Sequence, residues 1–407
     1  MFSSEYDIIV VGGGAAGFFA AINAKEKQPN LKVLLLEKSK KLLSKVKISG
    51  GGRCNVTNAT YSISELSKNY PRGSRALKKV FSQFAVQDTV DWFQSRGVRL
   101  VTQEDSCIFP ESQSSQSIID CFLNECKRLG VEIQTTCHIQ TIRPKEQGFE
   151  IEVNDGVVNS RNVVLAIGGQ PKSTGFSLLD HLQHKLVSPV PSLFTFNMPN
   201  ESIKSLMGIV VNPVTTKIQG TKLMEQGPLL VTHWGMSGPA ILKLSAWGAR
   251  ILNETGYKFK LQVNWLNNLN YSQVEIKLNE IIQVSAQKKI VNHKIDVLPN
   301  RLWLFLLEKI DINHHKKWSE LSKKEYHKLV NVLVNDIYEV NGKTTFKEEF
   351  VTAGGIDLSE VNMNTMESKL YPGLFFTGEM LDIDGITGGF NFQAAWSTAY
   401  VVTSHIR

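Results

Sequence analysis

Asp7-Ile8-Ile9-Val10-Val11-Gly12-Gly13-Gly14-Ala15-Ala16-Gly17 is the stretch on which the fold turns. Ile8 to Val11 form a short apolar run, the pattern of a parallel strand buried on both faces. Gly12, Gly14 and Gly17 then supply G-x-G-x-x-G at the start of a helix predicted over 15–24. Gly12 permits the tight turn, Gly14 lets the backbone approach a pyrophosphate, and Gly17 lets helix and strand pack closely. The helix N-terminus offers free N–H groups and a partial positive charge to phosphates. A second strand is predicted over 33–36. Glu37 ends it, twenty positions after Gly17, where it can accept hydrogen bonds from a ribose. Strand, glycines, helix, strand and acid in register over about thirty residues read as a dinucleotide site rather than as a glycine-rich turn.

Outward from this unit, residues 1–170 alternate strands and helices, as a doubly wound sheet does. Helices are predicted over 82–96 and 116–129. Strands are predicted over 131–134, 150–153 and 162–167, the last running into Gly168-Gly169. The texture changes after Ser188. Pro189, Pro191, Pro213, Pro228 and Pro239 lie among short β-type segments at 193–198, 209–214, 229–232 and 257–263. From 273 the apolar spacing is helical, through Leu302, Leu306, Leu307, Leu329, Val332 and Leu333. The α/β texture then returns, with a strand over 374–377 closed by Gly378. Gly385, Gly388 and Gly389 precede a helix from Asn391 to about Ser404. The expected fold is therefore α/β, a discontinuous Rossmann-like nucleotide domain (1–188 and 346–407). It is interrupted by a β-barrel-like insertion (189–272) and a helical cap (273–345).

A chain of 407 residues calls for two or three domains. Met1 to Asp7 lacks the basic flank of a signal peptide, and no window approaches eighteen apolar residues, so neither export nor a membrane span is expected. Five scattered cysteines without a C-x-x-C pair indicate neither a zinc site nor a redox dithiol, and fit a reducing cytoplasm. The net charge of +7 is uneven: residues 288–328 hold ten Lys/Arg against five Asp/Glu. This window also carries His293, His314, His315 and His327. A basic patch can bind phosphates, and it can equally be a solvated helical face. Adjacent His314 and His315 do not share a helix face, which argues against a metal pair.

Two further stretches carry chemistry. Residues 48–58 read I-S-G-G-G-R-C-N-V-T-N. Three consecutive glycines expose backbone N–H groups, and Arg53, Asn55, Thr57 and Asn58 add polar contacts, a combination suited to a phosphate or the edge of a flat polar ring. Residues 377–395 read T-G-E-M-L-D-I-D-G-I-T-G-G-F-N-F-Q-A-A. Asp382 and Asp384 are short acids able to hold hydroxyl groups. Gly388-Gly389 open the last helix, whose N-terminal dipole suits the negative charge that a reduced flavin carries at its N1–C2=O edge. Such a segment can form the second half of an FAD site.

Taken together, these motifs resemble those of the YhiN/BaiN (RdsA-like) family of NAD(P)/FAD-dependent oxidoreductases, which is also grouped with aminoacetone oxidase. The matching elements are V-G-G-G-A-A-G at 11–17, K-I-S-G-G-G-R-C-N-V-T-N at 47–58 and A-I-G-G at 166–169. They continue with T-H-W-G-M-S-G-P-A at 232–240, A-G-G-I at 353–356 and G-E-M-L-D-I-D-G-I-T-G-G-F-N-F-Q at 378–393. The resemblance implies FAD held by Gly12, Gly14, Ala15, Ala16, Gly17, Glu37, Lys38, Ser49, Gly51, Arg53, Cys54, Asn55, Ala166, Gly168, Gly378, Glu379, Gly389, Phe390 and Asn391. It also implies the FAD domain, inserted β-barrel and helical cap. Two departures stand out. Lys40 to Lys47 reads K-K-L-L-S-K-V-K where many relatives have a shorter G-R-K-type approach, and relatives vary over 166–175. No second Rossmann fingerprint exists, so NAD(P)H has no dedicated domain. Hydride must enter by direct docking at the flavin face or from another donor.

For proton transfer, His233 is a candidate donor because its ordinary pKa lies near neutrality; a structural histidine in a tight turn is the alternative. Cys54 is a candidate thiol acid or a small packing residue. Several functions fit. The first is reduction of an activated C=C bond with NAD(P)H. The resemblance implies uridine in ribosomal RNA (giving dihydrouridine) or the enone of a steroid- or bile-acid-like molecule as substrate. The basic cap favours RNA, although no aromatic single-strand platform is evident. The others are an FAD-dependent amine oxidase of the aminoacetone type and a flavin-bearing RNA-binding factor with little turnover.

Overall fold

The computed structural model describes residues 5–154, 156–170, 172–344 and 351–406. Two compact units result, Met1–Ser192 together with Phe346–Arg407, and Leu193–Thr345. The junction expected at 345/346 lies outside the described residues.

The first unit is built on a parallel sheet. β1 (Glu5–Val11) leads through α1 (Ala15–Lys27) to β2 (Val33–Leu36). α2 (Ser44–Gly52) and α3 (Gln116–Leu129) follow, then β3 (Glu132–Gln134) and an antiparallel pair, β4 (Ile139–Pro144) and β5 (Phe149–Val153). β6 (Gly156–Leu165) returns beside β1. The C-terminal segment adds β7 (Leu374–Phe376) and α4 (Phe390–Thr403). The parallel core runs in the order β7-β6-β1-β2-β3. Its residues are apolar because both faces are covered: Ile8, Ile9, Val10, Leu34, Leu35, Val163, Val164 and Leu165 have no exposed surface. α1 packs on α4 and α3. Between them Phe19, Phe93, Phe122 and Trp396 stack edge-to-face or tilted at 5.4–6.5 Å.

Register decides where ligands can meet this sheet. Val11 pairs with Leu36 and with Leu165, and Leu165 pairs with Phe376. Four strand ends therefore stand in one row. The residues that follow them, Gly12, Glu37, Ala166 and Thr377-Gly378, emerge at the same edge. This is the carboxyl edge of an open parallel sheet, where such folds bind ligands.

Two elements differ from expectation. Residues 186–192 form a strand that pairs antiparallel with Val351–Ile356, so Pro189 and Pro191 belong to the first unit and this unit extends to Ser192. The helix expected over 82–96 starts only at Val86, where the Asp88 carboxylate accepts from Ala85 N at 2.7 Å and restarts the helix after a separate one over Ser74–Phe81.

The second unit is a seven-stranded antiparallel sheet. Its strand order is Asp336–Asn341, Lys258–Asn264, Val210–Ile218, Met224–Val231, Gly235–Ser237, Thr195–Asn197 and Lys343–Thr344. The first and last strands of that order are separated in the chain by Gly342 alone. Gly342 N donates to Tyr257 O at 2.9 Å, and its O accepts from Asn197 N at 3.0 Å. The two edges thus meet at one residue, and the sheet curls into a barrel. Helices Tyr271–Ser285, Asn300–Lys309 and Lys323–Val334 pack on it. Strand Asp336–Asn341 falls inside the range expected to be helical. One apolar core, including Trp265, Leu302, Trp303, Trp318 and Tyr338, runs through sheet and helices alike. The buried Asp336 carboxylate gathers Trp265 Nε1 (2.9 Å), the Tyr338 hydroxyl and Lys309 (2.6 Å), so its charge is neutralised and its lone pairs filled. No helix among the described residues is long and apolar enough to cross a membrane.

Candidate functional site

At the β1–α1 turn, Gly12 has φ +115°, and a Cβ there would stand 2.4 Å from Ala166 O. Gly17 lies beneath it, its own hypothetical Cβ 1.9 Å from Gly12 O. Both positions are closed by backbone, so only glycine fits. Gly14 is different. Nothing lies within 4 Å of where its Cβ would be, so it borders open space in front of α1. No side chain caps α1 and no acid occupies its first turn, leaving the N–H groups around Ala15 and Ala16 available to an anion. A cradle with free N–H donors and room for a bulky group fits a pyrophosphate.

Glu37 braces this turn. Its Oε2 accepts from Gly13 N and its Oε1 from Ser39 N, each at 2.8 Å. Each oxygen keeps a lone pair, so a ribose hydroxyl can still be held. Lys38 beside it is exposed.

α2 breaks where its glycines begin. Ser49 is extended (φ −58°, ψ 148°), and Gly50 and Gly51 are left-handed. Ser49 Oγ donates to Val46 O at 3.0 Å, and its carbonyl accepts from Cys54 N at 2.9 Å. Gly51 is exposed with open space beside it. Arg53 lies over the Phe109 ring at 4.1 Å and donates to Gly50 O and Gln113 Oε1, both at 3.2 Å. Cys54 has no exposed surface, and burial pushes its thiol up to about 12. Such a thiol is a poor acid toward a ligand and matches the packing alternative.

This loop is fastened to the C-terminal segment. With its amide oriented to satisfy both ends, Asn55 donates to Thr57 O (2.8 Å) and Ile108 O (3.2 Å) and accepts from Gly389 N (3.2 Å). A Cβ on Gly389, φ +93°, would stand 2.5 Å from Thr57 O, which explains the glycine. Asn58 donates to Gly388 O at 3.1 Å, Thr57 Oγ1 donates to Gln393 Oε1 at 2.5 Å, and Trp396 Nε1 donates to Val56 O at 2.9 Å. Asn391 closes its own turn, accepting from Gly385 N (2.9 Å) and donating to Gly385 O (3.0 Å).

Ala166, Gly168, Gly378 and Glu379 complete the edge. Ala166 N donates to Val11 O at 2.8 Å. Glu379 Oε2 receives Lys45 Nζ at 2.5 Å and Gly169 N at 3.4 Å. A Cβ on Gly378 would meet Ala16 Cβ at 3.0 Å, so this turn abuts the first turn of α1. Within the departure over 40–47, Lys45 pairs with Glu379 and Lys47 reaches Gln116 Oε1 at 2.7 Å. Pro171, within the variable 166–175 stretch, lies outside the described residues.

All nineteen cofactor residues implied by the resemblance lie in the first unit, around the carboxyl edge of its sheet. His233 does not. It lies in the second unit on an exposed turn, its ring 4.5 Å from that of Trp234, with Thr232 Oγ1 accepting from Trp234 N and Gly235 N. Asp384 is also not available to a ligand's hydroxyls. It has no exposed surface and is gripped by Arg72. In the basic segment, Lys309 and Lys316 pair with Asp336 and Glu325, while Lys288, Lys289, Lys317, Lys323, Lys324 and Lys328 are exposed. No group of three or more His, Cys, Asp or Glu side chains suited to a metal occurs among the described residues. Sequence reasoning passed over Lys45 as an ion-pair partner and the segment 69–73 altogether; Gly73 after Pro71-Arg72 was the one local hint of a shaped turn there.

Comparison with known proteins places this geometry in context. Residues 6–405 match the family model described as the HI0933-like protein Rossmann domain. A 3-dehydro-bile acid delta(4,6)-reductase of Clostridium scindens is 28% identical over 96% of this chain and 97% of its own. The ribosomal RNA dihydrouridine synthase of Escherichia coli is 29% identical over 97% and 96% respectively. Among solved structures, 3-ketosteroid-delta4-(5alpha)-dehydrogenase from Rhodococcus jostii shares the fold with a TM-score of 0.52 at 12% identity, over 99% of this chain and 98% of its own.

Proposed function

As a member of the HI0933-like protein Rossmann domain family, the chain is an FAD-dependent oxidoreductase, and we propose that it adds hydrogen across an activated C=C bond, with NAD(P)H as electron donor and uridine in ribosomal RNA as substrate. One observation carries the cofactor half of this reading. Four strand ends in register bring Gly12, Glu37, Ala166 and Gly378 to one edge, in front of an open, uncapped helix N-terminus. When bound there, FAD supplies a centre that takes hydride from the donor and passes it to the substrate.

The chain's own residues have separable tasks. Gly14 and the first turn of α1 would receive the pyrophosphate, and Glu37 the adenosine ribose. The loop at 49–55, tied to Gly388-Gly389 through Asn55 and Asn58, would frame the flavin ring. Its exposed backbone amides and the N-terminus of α4 would favour the anionic, reduced form. Lys45 and Glu379 neutralise each other beside Gly169 and so add little net charge to that edge. The absence of a second G-x-G-x-x-G in the sequence supports direct docking of the nicotinamide donor.

The substrate assignment draws on two relatives whose names share one chemistry, saturation of a carbon–carbon double bond. The exposed lysines of 288–328 favour the RNA alternative, because a chain of phosphates can engage many cations at once whereas a bile acid offers a single carboxylate. A bile-acid-like enone is the second reading, supported by a relative of nearly equal identity. The reading is tested by mixing the flavoprotein anaerobically with NADPH or NADH. Bleaching of the flavin followed by reoxidation on adding rRNA, with dihydrouridine detected by mass, is the expected result. Reoxidation by a 3-oxo-4-ene steroid alone would transfer the assignment to the second reading. Failure of both nicotinamides to bleach the flavin would overturn NAD(P)H as the donor and favour the amine-oxidase alternative.

A further inference from the structure

A third segment, Asn69-Tyr70-Pro71-Arg72-Gly73, lies along the 382–390 loop and touches it repeatedly. Ile386 N donates to Asn69 O at 2.9 Å. The Tyr70 hydroxyl donates to Phe390 O at 2.7 Å, and the Tyr70 ring meets that of Phe390 edge-on at 6.1 Å. Arg72 forms an isolated antiparallel bridge with Asp384. Its guanidinium also grips the Asp384 carboxylate through Nε and one Nη. Gly73 sits so close that a Cβ there would fall 2.5 Å from Ile383 Cγ1. Ser192 Oγ donates to Asp384 Oδ2 at 2.8 Å, filling another lone pair.

The chemistry of this contact is unusual for a mere brace. Asp384 has no exposed surface and the Arg72 side chain is 14% exposed. Burial pushes the Asp384 carboxyl above its usual range, and Arg72 opposes that shift. A buried ion pair stabilises a fold little compared with apolar residues of the same size. What a two-pronged guanidinium–carboxylate pair does provide is orientation, because the planar fork accepts one geometry. Here the oriented element is the loop that runs from Asp382 through the Gly385–Asn391 lock into α4.

We infer that Asn69–Gly73 is the template that shapes the 382–390 loop, and that Arg72 is a positioning residue for the flavin end of the site. Arg72 acts through Asp384 and Tyr70 through the first carbonyl of α4, so together they set where the Gly388 N–H and the start of the helix are aimed. The inference rests on the FAD reading above and adds to it a segment some 310 residues away in sequence.

The test uses the intact flavoprotein and its Tyr70→Phe, Arg72→Lys and Arg72→Ala variants. FAD dissociation is read by flavin fluorescence, and the midpoint potential by spectroelectrochemical titration. Tyr70→Phe, which keeps the ring and removes one hydrogen bond, should weaken FAD binding by about three- to tenfold. Arg72→Ala should weaken it by roughly a hundredfold or more, since Asp384 is left buried and unpaired. Millimolar guanidinium ion should restore much of that loss, Arg72→Lys should fall between parent and Arg72→Ala, and the potential should drop in every variant. If Arg72→Ala does not fold, Tyr70→Phe decides. Unchanged FAD affinity and potential in Tyr70→Phe, or in a folded Arg72→Ala, would overturn the inference. A parent protein that takes up no FAD would instead overturn the cofactor reading, a separate outcome.

Discussion

The glycine turn makes a prediction in which stability and cofactor binding move in opposite directions. Gly14 is the N-cap of α1 with φ −97° and ψ −168°, a conformation open to any residue, and its side-chain direction meets nothing within 4 Å. Aspartate there is among the best N-caps, and its charge complements the helix dipole. Gly14→Asp should therefore stabilise the apo-protein by about 0.5–1 kcal/mol. The same carboxylate would stand where the pyrophosphate belongs and would occupy the N–H groups meant for it. Two like charges about 4 Å apart at an effective dielectric constant near 20 repel by about 4 kcal/mol, roughly a thousandfold in affinity. Gly17→Ala should instead lower stability. Its Cβ would stand 1.9 Å from Gly12 O, and relieving that overlap between β1 and α1 should cost about 3 kcal/mol. The assays are urea denaturation of the flavin-free proteins, so that ligand linkage does not enter, and titration of FAD by fluorescence quenching. A yellow, fully loaded Gly14→Asp protein would refute the placement of the pyrophosphate. An apo-protein made less stable by Gly14→Asp would refute the reading of the turn itself.

Three other outcomes follow from single sites. Glu325 caps the Lys323–Val334 helix through Ser322 and pairs with Lys316, which holds its carboxyl down near 2 instead of the ordinary 4.5. A depressed carboxyl adds stability that is complete above its unfolded pKa and fades as pH falls through the folded value. The stability difference between parent and Glu325→Gln should thus be constant above pH 5 and vanish toward pH 2; a difference independent of pH would show that the carboxylate is not the source. All five cysteines are buried, Cys54 completely. The native protein should therefore show no fast thiol reaction at pH 8 and five equivalents after unfolding, and rapid modification of Cys54 would revive its candidacy as an acid. If the exposed lysines meet RNA, Lys323→Gln/Lys324→Gln/Lys328→Gln should reduce the slope of log affinity against log salt by about two, near 0.7 per lost phosphate contact on single strands; an unchanged slope would place the RNA elsewhere.

What the sequence shows and what it hides divide along a physical line. The turn from Val11 to Gly17 is legible because each requirement is local: an apolar run for a strand buried on both faces, a positive φ at Gly12, contact distance at Gly17. The helix over 116–129 is legible for the same reason, its buried face recurring through Ile118, Ile119, Phe122 and Cys126. Illegible features depend on partners far away in the chain. Residues 189–192 read as the start of the insertion because prolines and β-type residues look alike in either unit; only the pairing of strand 186–192 with Val351–Ile356 assigns them to the first. Strand Asp336–Asn341 is too short to interrupt a helical pattern and is specified by Lys258–Asn264 across the sheet. Asp384 illustrates the limit most sharply. As one of two acids in a glycine-rich loop it reads as a ligand for hydroxyl groups, and nothing within ten residues contradicts that. The guanidinium that claims it comes from Arg72.

The same distinction explains why the chain returns to its first domain. A sheet edge that binds a long cofactor needs more turns than one βαβ unit supplies. β7 adds the fourth strand end, and its register with β6 requires Leu374–Phe376 to stop level with Leu165. Gly378 then fits against Ala16, and Glu379 reaches Gly169 and Lys45. None of these contacts could form if the C-terminal strand slipped by one residue, since a one-residue slip turns each side chain to the opposite face. The insertion between residues 193 and 345 therefore has to leave that register intact, and the antiparallel pairing of 186–192 with 351–356 closes the first unit at the point of departure and return. The row of strand ends, and the cofactor site proposed along it, is therefore assembled wholly from residues of the first unit.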